Sequence, residues 1–316
     1  MSGMTLVQRP AAQAVAQLPF RVARRVVREL RNRLGATPRK RWKRNLLFPI
    51  RNTLLRGKPI AVELDGVCVL LAPQGATAAD FWAGLWFEKH ALEFLLSVLE
   101  PGMTVFDIGA NAGLFAVAAA KKTGRGSVYA FEPGQCTFRL LEQNLRLNGV
   151  TNVVAIRTTL GDKTGEAVLQ VNAASKDELN TGERATNRDS RVVGREKVPV
   201  TALDAFVGDR GIARVDAMKV DVEGAELPVF RGARKLLERR DAPLILYEGY
   251  GSQTKGFGYH PVETMWLLGD CGYSLFVLDT ATGRVAPRHP GNEYDATVVA
   301  VKPEHPSYRT LTESAR

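Results

Sequence analysis

The chain has 316 residues, of which 45% are hydrophobic and 24% charged, and a formal net charge of +10 at pH 7. This composition is typical of globular domains and excludes a wholly disordered chain. No apolar run approaches the roughly 20 residues of a membrane-spanning helix, and the amino terminus lacks a secretory pattern. The three cysteines lie far apart without CxxC spacing, so we predict a reducing cytoplasm, with neither disulfides nor structural zinc.

The positive charge is concentrated at the amino terminus. Residues 1–58 contain 15 lysines and arginines and one acid, Glu29, and thus carry +14, whereas residues 59–316 carry −4. We therefore predict a basic, partly helical extension over 1–58, followed by one larger domain over 59–316. A mildly acidic body does not favour a nucleic-acid partner.

Within the extension, residues 18–44 combine a helical apolar stripe with clusters of basic residues. The stripe consists of apolar residues at every fourth position: Leu18, Val22, Val26, Leu30 and Leu34. A basic amphipathic helix can lie on the anionic inner face of a membrane, so peripheral membrane contact is one interpretation. Docking of the stripe on the protein body is the other interpretation, and we favour it because the stripe is poor in aromatic residues.

From residue 60 onward, predicted strands and helices alternate. A short hairpin at 60–71 and a helix at 81–99 come first. The strands that follow are 104–108, 127–131, 153–160, 217–222 and 244–248, with a small added strand at 167–171. The helices between them are 113–122, 137–148, 226–239 and 262–268. This alternation predicts an α/β fold, with a parallel sheet and helices on both of its faces.

Two segments depart from the alternation. Residues 274–279 and 297–301 predict a closing hairpin, which would give the sheet an antiparallel edge. Residues 172–195 are polar and long for a connection inside a compact domain. We therefore expect a mobile lid or substrate loop in that segment.

The most informative segment is a strand that runs directly into a glycine-rich turn and a helix: Val105-Phe106-Asp107-Ile108-Gly109-Ala110-Asn111-Ala112-Gly113. Gly109 and Gly113 would let a backbone approach a ligand without an intervening Cβ. Ligands of open α/β sheets bind at the carboxyl ends of the strands. The spacing D-x-G-x-N-x-G places a carboxylate before the first glycine, which disfavours a pyrophosphate. The charge suits a cationic ligand, such as the sulfonium of S-adenosylmethionine.

Polar positions also end the next two strands. Glu132, which precedes Pro133, would accept hydrogen bonds from both hydroxyls of a ribose, or would favour the start of the following helix. Gly161, which precedes Asp162, ends the third strand. A backbone amide or an acid there would meet an adenine edge, and an ordinary turn is the alternative.

The fourth strand ends in a cluster of acids, within Met218-Lys219-Val220-Asp221-Val222-Glu223-Gly224-Ala225-Glu226. We expect Asp221 or Glu223 to contact the reacting groups, although acids here also suit the start of a helix. Glu248 ends the neighbouring fifth strand and is a further candidate for a substrate ligand or a base.

Together these segments resemble the FkbM-type methyltransferases. The motifs D-I-G-A-N-A-G, F-E-P, V-T-A-L-D from Val200 to Asp204, and K-V-D-V-E-G-A-E occur in the order of that family, within about residues 85–250. The resemblance implies a Rossmann-like methyltransferase fold: a mostly parallel seven-stranded sheet with an antiparallel edge hairpin and helices on both faces. It also implies an S-adenosylmethionine-dependent enzyme that methylates a hydroxyl of a sugar, glycan, glycolipid or natural product.

The resemblance further implies roles for single residues. Glu132 would hold the ribose, Asp221 and Glu223 would face the reacting centre, and Glu88 would approach the cofactor. The residues predicted to bind the cofactor are Asp107, Gly109, Ala110, Asn111, Gly113, Glu132, Pro133, Gly161 and Asp221. Ala112 stands where the family commonly has a larger residue, and residues 1–58 match nothing in the family.

A hydroxyl acceptor needs a base because its pKa is high. We predict that Asp221, Glu223 or Glu248 supplies this base. The sequence does not separate the three, since burial and a nearby cation shift a carboxyl pKa in opposite directions. No histidine stands at ligand spacing beside them, so we predict no metal ion.

Other functions remain open from the sequence. A nicotinamide-dependent dehydrogenase would use a related fold, but the third glycine of its fingerprint is missing. A non-catalytic scaffold, held at a membrane by the basic extension, would not need intact glycines and acids. RNA methylation is disfavoured because the extension offers few aromatic residues for stacking, and because the Asn-Pro-Pro-aromatic loop typical of base amine methylation is absent.

Overall fold

A computed structural model describes most of the chain. The described residues are 43–54, 59–64, 67–71, 76–83, 88–172, 181–182, 192–288 and 296–314. The predicted helix within 18–44 and most of the predicted lid at 172–195 lie outside them. The chain divides into two compact units, residues 1–86 and residues 87–316. Within the described ranges, no helix is long and apolar enough to cross a membrane.

The first unit combines short helices with one hairpin. Its two strands pair antiparallel, as the sequence predicts. Alternate residues of the second strand are buried, and the rings of Phe48 and Trp82 lie 5.7 Å apart, so the unit has an apolar core of its own. The elements are a π-helical turn (Lys43–Leu47), α1 (Phe48–Leu54), β1 (Ile60–Leu64), β2 (Val67–Leu71) and α2 (Ala76–Ala83).

The second unit contains the remaining strands and most of the helices. Its strands are β3 (Thr104–Ile108), β4 (Ser127–Phe131), β5 (Val153–Ile156), β6 (Thr159–Gly161), β7 (Gly165–Asn172), β8 (Thr181–Gly182), β9 (Val192–Ala202), β10 (Ala217–Val220), β11 (Leu244–Gly249), β12 (Ser274–Leu278), β13 (Val285–Pro287) and β14 (Ala296–Val301). They form an eight-stranded sheet in the order β13-β12-β14-β11-β10-β3-β4-β5 and a four-stranded sheet in the order β6-β9-β7-β8.

The large sheet confirms the predicted α/β architecture and its antiparallel edge, and it corrects the number of strands. Strands β5, β4, β3, β10 and β11 run parallel. Strand β14 pairs antiparallel with both β11 and β12, and the edge strand β13 pairs antiparallel with β12. The sheet therefore has eight strands where seven were predicted, because β13 extends it beyond β12.

The predicted strand 153–160 is two strands that belong to different sheets. Strand β5 pairs with β4 in the large sheet, whereas β6 pairs parallel with β9 in the small one. Gly161 consequently ends β6 and not a strand of the large sheet. The predicted added strand at 167–171 is the central part of β7, which pairs antiparallel with β9.

The helices of the second unit largely follow the prediction. The predicted helix 81–99 corresponds to the end of α2 at Ala83 and to α3, which begins at Lys89. The predicted helix 226–239 is two helices with Gly232 between them, and a Cβ on Gly232 would stand 2.0 Å from the Gly161 carbonyl oxygen. The helices are α3 (Lys89–Val98), α4 (Leu114–Thr123), α5 (Gln135–Asn148), α6 (Leu203–Asp209), α7 (Glu226–Arg231), α8 (Arg234–Glu238), α9 (Gly251–Thr254), a 3₁₀ turn (Lys255–Phe257), α10 (Pro261–Asp270) and α11 (Tyr308–Ser314).

The core of the second unit lies on the strands that lead to the site. Strands β3 and β10 are almost wholly buried, which fits a parallel sheet covered on both faces. The ring of Phe106 meets those of Phe131 and Phe206 edge-to-face, with centroids 5.7 Å and 6.1 Å away. This packing fixes the strands whose carboxyl ends carry the functional side chains.

Candidate active site

The site lies where the strand order of the large sheet reverses. From β3 the chain proceeds outward through β4 and β5, and it later returns to place β10 and β11 on the other side of β3. Open α/β sheets bind ligands at such a position. A cavity of about 1050 Å³, open solvent at its mouth included, begins here. Its wall includes Gly109, Asn111, Glu132, Pro133, Thr158, Leu160, Val198, Val200, Asp221, Glu223, Pro228 and Phe257.

The glycine-rich loop after β3 is held by hydrogen bonds to β4. The backbone N–H groups of Gly109 and Ala110 both donate to the carbonyl oxygen of Phe131, at 3.0 Å and 2.9 Å. The N–H of Asn111 donates to Glu132 Oε2 at 3.0 Å. Asn111 itself has a φ of 48°, a left-handed conformation that asparagine tolerates better than most residues. The loop is thus fixed by the fold before any ligand binds.

The two glycines of the loop are required by packing inside the protein. A Cβ on Gly109, whose φ is +79°, would stand 1.8 Å from the backbone oxygen of Asp221. A Cβ on Gly113 would stand 2.5 Å from the side chain of Leu141. The sequence analysis explained these glycines by the close approach of a ligand. The structure explains them by close contacts with Asp221 and Leu141 inside the protein. Their contact with cofactor stays a prediction.

Glu132 is a buried carboxylate with three donors. Its Oε1 accepts from the N–H of Gly134 at 2.8 Å and from the hydroxyl of Thr137 at 2.6 Å, and Oε2 accepts from Asn111. Burial raises the pKa of Glu132, and these hydrogen bonds oppose the rise. A carboxylate offers about four acceptor positions, so one remains on Oε2. Oε2 can therefore accept from one further donor, such as a ribose hydroxyl, and the contact of Glu132 with both hydroxyls stays a prediction.

Asp107 lies behind the cavity wall. Its side chain is 1% exposed, and the ammonium of Lys219 lies 3.9 Å from its Oδ1. Burial raises the pKa of Asp107 to about 6, against the opposing effect of Lys219. Asp107 thus contacts the charged groups beneath the site and not the cavity itself.

The acids of the fourth and fifth strands occupy two neighbouring recesses. Asp221 and Glu223 line the large cavity, whereas Asp221, Glu248 and Glu88 line a smaller one beside it. Carboxylate oxygens of Glu88, Asp221 and Glu248 lie within 4.8 Å of one another. Burial and then the charges of Asp221, Glu88 and Glu223 raise the pKa of Glu248 to about 10. These surroundings favour the protonated form of Glu248.

The turn after β10 is held in a strained conformation. Glu223 has a φ of 54°, and its Oε2 accepts a 2.5 Å hydrogen bond from Gln253. Glu226 is buried and accepts from the N–H groups of Gly224 and Val222 at 3.1 Å and 3.3 Å. Strain that the surroundings hold in place is a feature of functional sites.

The structure brings most of the predicted residues together. Gly109, Asn111, Glu132, Pro133, Asp221 and Glu223 line the large cavity, whereas Asp107, Ala110, Gly113, Gly161 and Glu248 lie near it without lining it. The sequence analysis gave no role to Lys219, Gln253 or Tyr259. The signal for Lys219 was present, since it is one charged residue in the otherwise apolar strand Ala217–Val220.

Fold and site together define an α/β protein with a cofactor-type cavity at the reversal point of its sheet. A family model described as the methyltransferase FkbM domain matches residues 107–275, which is more than half of the chain. The chain belongs to the FkbM methyltransferase family. It is an S-adenosylmethionine-dependent methyltransferase, and the family replaces the dehydrogenase alternative.

Two curated relatives illustrate the family. The chain is 31% identical over 216 residues to the 31-O-demethyl-FK506 methyltransferase FkbM of Streptomyces tacrolimicus, which covers 57% of this chain and 80% of that protein. It is 26% identical over 183 residues to the hexuronic acid methyltransferase AglP of Haloferax volcanii, which covers 57% and 70% of the two chains.

Solved structures of methyltransferases are more distant. A SAM-dependent methyltransferase from Agrobacterium tumefaciens is 14% identical, with a TM-score of 0.41 and coverage of 78% of this chain and 71% of that one. A putative methyltransferase from Streptococcus mutans, in complex with SAH, is 11% identical, with a TM-score of 0.40 and coverage of 66% and 93%.

Proposed function

We propose that this protein transfers the methyl group of S-adenosylmethionine to a hydroxyl of a sugar, glycan, glycolipid or natural product. The observation that carries the proposal is the position of Asp221 and Glu223. Both line the cavity that begins at the glycine-rich loop, so two carboxylates face the space beside the proposed cofactor site. A hydroxyl acceptor needs such a group, because it must lose a proton as the new bond forms.

The chemistry of the cavity wall fits this cofactor. Asp221 and Glu223 offer negative charge to a sulfonium, whereas Leu160, Val198 and Val200 offer an apolar surface to an adenine ring. Glu132 keeps one acceptor position for a ribose hydroxyl. In this proposal the loop residues Gly109 to Gly113 hold the methionine end, and Asp107 contributes through Lys219 beneath the loop.

When bound, S-adenosylmethionine supplies a methyl group already activated by the positive sulfur. The protein's task is to align the acceptor oxygen with that carbon and to accept a proton. The acceptor oxygen would take up the methyl group that S-adenosylmethionine supplies, and the carboxylate of Asp221 or Glu223 would accept the hydroxyl proton. The fixed loop and the rigid turn after β10 limit the motion that this alignment would otherwise cost.

Asp221 and Glu223 are better placed than Glu248 to take the proton. Asp221 Oδ2 is paired with Lys219 at 3.0 Å, and Oδ1 has no hydrogen-bond partner among the residues that the structure describes. Glu223 lines the cavity and is oriented by Gln253. Burial and the neighbouring acids favour the protonated form of Glu248, and Glu248 lines the smaller recess, so we keep it as a secondary candidate.

The acceptor side of the cavity supports a partly apolar substrate. Val222, Ala225, Pro228 and Phe257 line it next to the two acids. Such a wall suits the apolar face of a sugar ring or of a macrocycle, with hydroxyls directed at the carboxylates. The names of the two relatives, a hexuronic acid methyltransferase and a 31-O-demethyl-FK506 methyltransferase, are consistent with these acceptor classes. A nucleic-acid partner is not part of the proposal, and we place the reaction in the cytoplasm, with peripheral membrane contact through 18–44 as an option.

The proposal is tested by transfer of labelled methyl from S-adenosylmethionine to a fractionated host extract. The fractions are saccharide, glycolipid, small molecule, protein and nucleic acid. Label in a saccharide, glycolipid or small-molecule fraction, resistant to mild alkaline ester hydrolysis, is the expected result. Label mainly in protein or nucleic acid would overturn the acceptor assignment while leaving the cofactor in place. Absence of transfer together with absence of S-adenosylhomocysteine binding would overturn the site.

A further inference from the structure

Lys219 is a charged side chain inside an otherwise apolar strand. It is 8% exposed, and every residue of β10 is buried. Its ammonium donates to Asp221 Oδ2 at 3.0 Å and to the carbonyl oxygen of Gly109 at 3.1 Å. One side chain therefore joins the glycine-rich loop on the cofactor side to the acid on the acceptor side.

The surroundings keep this ammonium charged. Burial alone would lower the pKa of Lys219, but the carboxylates of Asp221, Asp107 and Glu88 outweigh burial and raise the pKa above its usual value. The ring of Phe115 lies 5.0 Å from the ammonium and adds a cation–π contact. A buried charge of this kind is costly unless it is well paired, so its retention calls for a role beyond packing.

Acidic side chains from four structural elements surround the ammonium of Lys219, and Glu132 at the end of β4 also feels its charge. Helix α4 contributes the ring of Phe115 and no acid. The acids are Asp107 on β3, Asp221 and Glu223 after β10, Glu248 on β11, and Glu88 before α3. Lys219 is the cation among these described groups, and without it the recess would hold carboxylates alone.

We propose that Lys219 is a positioning residue that fastens Asp221 to the glycine-rich loop, and that its charge limits how strongly the site prefers the cationic cofactor over the neutral product. This inference rests on the proposed cofactor site. S-adenosylmethionine and S-adenosylhomocysteine share every group except one methyl and the positive charge on sulfur. The ratio of their affinities therefore reports the electrostatic environment of the sulfur and cancels effects that act on both ligands alike.

The consequence for turnover concerns product release. A site lined with unbalanced carboxylates would bind the cofactor tightly for its charge alone, and protons would have to enter or leave as the sulfur changes charge. With Lys219 in place, the acids are partly neutralised before the cofactor arrives. The site's affinities for the cofactor and for the product are then similar. The relative concentrations of the two ligands therefore decide which of them is bound.

The experiment compares the full-length wild type with Lys219→Met and Lys219→Arg by titration calorimetry, with each of the two ligands at pH 7.5. Lys122→Met, an exposed position on α4, is the matched control. In Lys219→Met we expect the preference for S-adenosylmethionine to rise by about fivefold or more, because one opposing charge has been removed. In Lys219→Arg and in the control, the ratio should stay within about twofold of the wild type.

A double variant keeps the test decisive if Lys219→Met folds poorly. Lys219→Met combined with Asp107→Asn removes one positive and one negative charge from the same buried pair. We expect the affinity ratio of this variant to return towards the wild-type value. Equal losses of affinity for both ligands, with the ratio unchanged in Lys219→Met and in the double variant, would overturn the role of Lys219 and leave a structural one. A wild type that binds neither ligand would instead overturn the proposed cofactor site.

Discussion

The two halves of the site are built in different ways. On the cofactor side, Gly109, Ala110 and Asn111 donate hydrogen bonds to β4 and to Glu132, and Glu132 in turn has three donors. On the acceptor side, the carboxyl groups of Asp221, Glu223 and Glu248 lie close together, and their mutual repulsion and burial favour the neutral form of Glu248. One residue there has a strained backbone, and another has a pKa raised to about 10. The glycine-rich loop and Glu132 on the cofactor side are held by hydrogen bonds. The acids on the acceptor side repel one another, which makes an unfavourable contribution to the free energy of folding.

The cofactor side therefore fixes the conformation of the site, whereas the acceptor side sets its protonation and turnover. Satisfied hydrogen bonds in a buried loop stabilise one conformation, so substitutions on the cofactor side should lower the free energy of unfolding. Crowded carboxylates cost stability in the folded state, so their replacement should leave stability nearly unchanged and alter protonation or turnover. The predictions below follow this contrast in order of their expected effect on the free energy of unfolding.

Gly109→Ala should have the largest effect. The added Cβ would stand 1.8 Å from the backbone oxygen of Asp221, and the φ of +79° is unfavourable for alanine. We expect a loss of more than about 4 kcal/mol in urea unfolding, or no soluble protein. Gly149→Ala is the matched control, since its φ is +63° and no atom lies within 4 Å of the added Cβ. A cost of about 1 kcal/mol in both variants would contradict the close approach.

Glu226→Gln should remove a pH dependence of stability. Burial raises the pKa of Glu226 from 4.5 to about 7, so the neutral form is favoured in the folded state. The contribution of protonated Glu226 to the free energy of unfolding is complete below about pH 4.5. About 3 kcal/mol of this contribution is lost as the pH rises to 7. Glutamine imitates the protonated acid, because its oxygen can accept from Gly224 and its amide can donate to Tyr259.

The measurement is the free energy of unfolding in urea at half-unit steps from pH 5 to pH 8. Up to about pH 7.5, the free energy of unfolding should fall more steeply with pH in the wild type than in Glu226→Gln. Above about pH 7.5, the slopes of the two curves should be equal. Glu304→Gln, an exposed position, serves as the control and should follow the wild type. Parallel curves for wild type and Glu226→Gln would show that Glu226 is already ionised in the folded state.

Glu132→Gln should lower both stability and cofactor affinity. Oε1 and Oε2 of Glu132 both face donors, so one of them would meet the amide group of glutamine and lose its hydrogen bond. We expect a loss of about 2 kcal/mol in unfolding free energy and a weaker affinity for S-adenosylhomocysteine by about tenfold or more. Wild-type values for both quantities would remove Glu132 from the loop-fixing and ribose-binding roles.

Asp221→Asn and Glu223→Gln should have the smallest effect on stability and a large effect on turnover. For Glu223→Gln we expect less than about 1 kcal/mol in unfolding free energy, because the change relieves repulsion among neighbouring acids. For Asp221→Asn we expect less than about 2 kcal/mol, because the amide oxygen can still accept from Lys219, whose charge stays opposed by Asp107 and Glu88. Methyl transfer to the acceptor fraction should fall by about a hundredfold in the variant that removes the base. Asp209→Asn, exposed at the end of α6, is the control. Full turnover in both site variants would exclude these acids from the chemistry.

The sequence was sufficient for those parts of the fold that depend on local pattern. The glycine-rich turn after β3, the acids at 132, 221 and 248, and the strand–helix alternation all lie where the pattern predicts them. The family assignment, predicted from four motifs in a fixed order, is also confirmed, because the family model matches residues 107–275.

The errors of the sequence analysis lie where distant segments meet. Residues 153–160 read as one strand, since nothing local marks the change of partner from β4 to β9. The need for glycine at position 232, between α7 and α8, comes from its close approach to the carbonyl of Gly161, far away in the sequence. The reason for Gly109 and the contacts of Lys219 likewise come from pairing between β3 and β10. Such contacts require the three-dimensional arrangement.

The close approach of Gly109 to Asp221 also bears on how motif matches in this family are interpreted. Because the glycine is required by the junction of two strands, a descendant that had lost its enzymatic activity would still need it to fold. The glycine therefore identifies the architecture and says little about whether a given member is active. A buried lysine surrounded by acids is expensive to keep without use, so its replacement by an apolar residue would be the more telling mark of an inactive member.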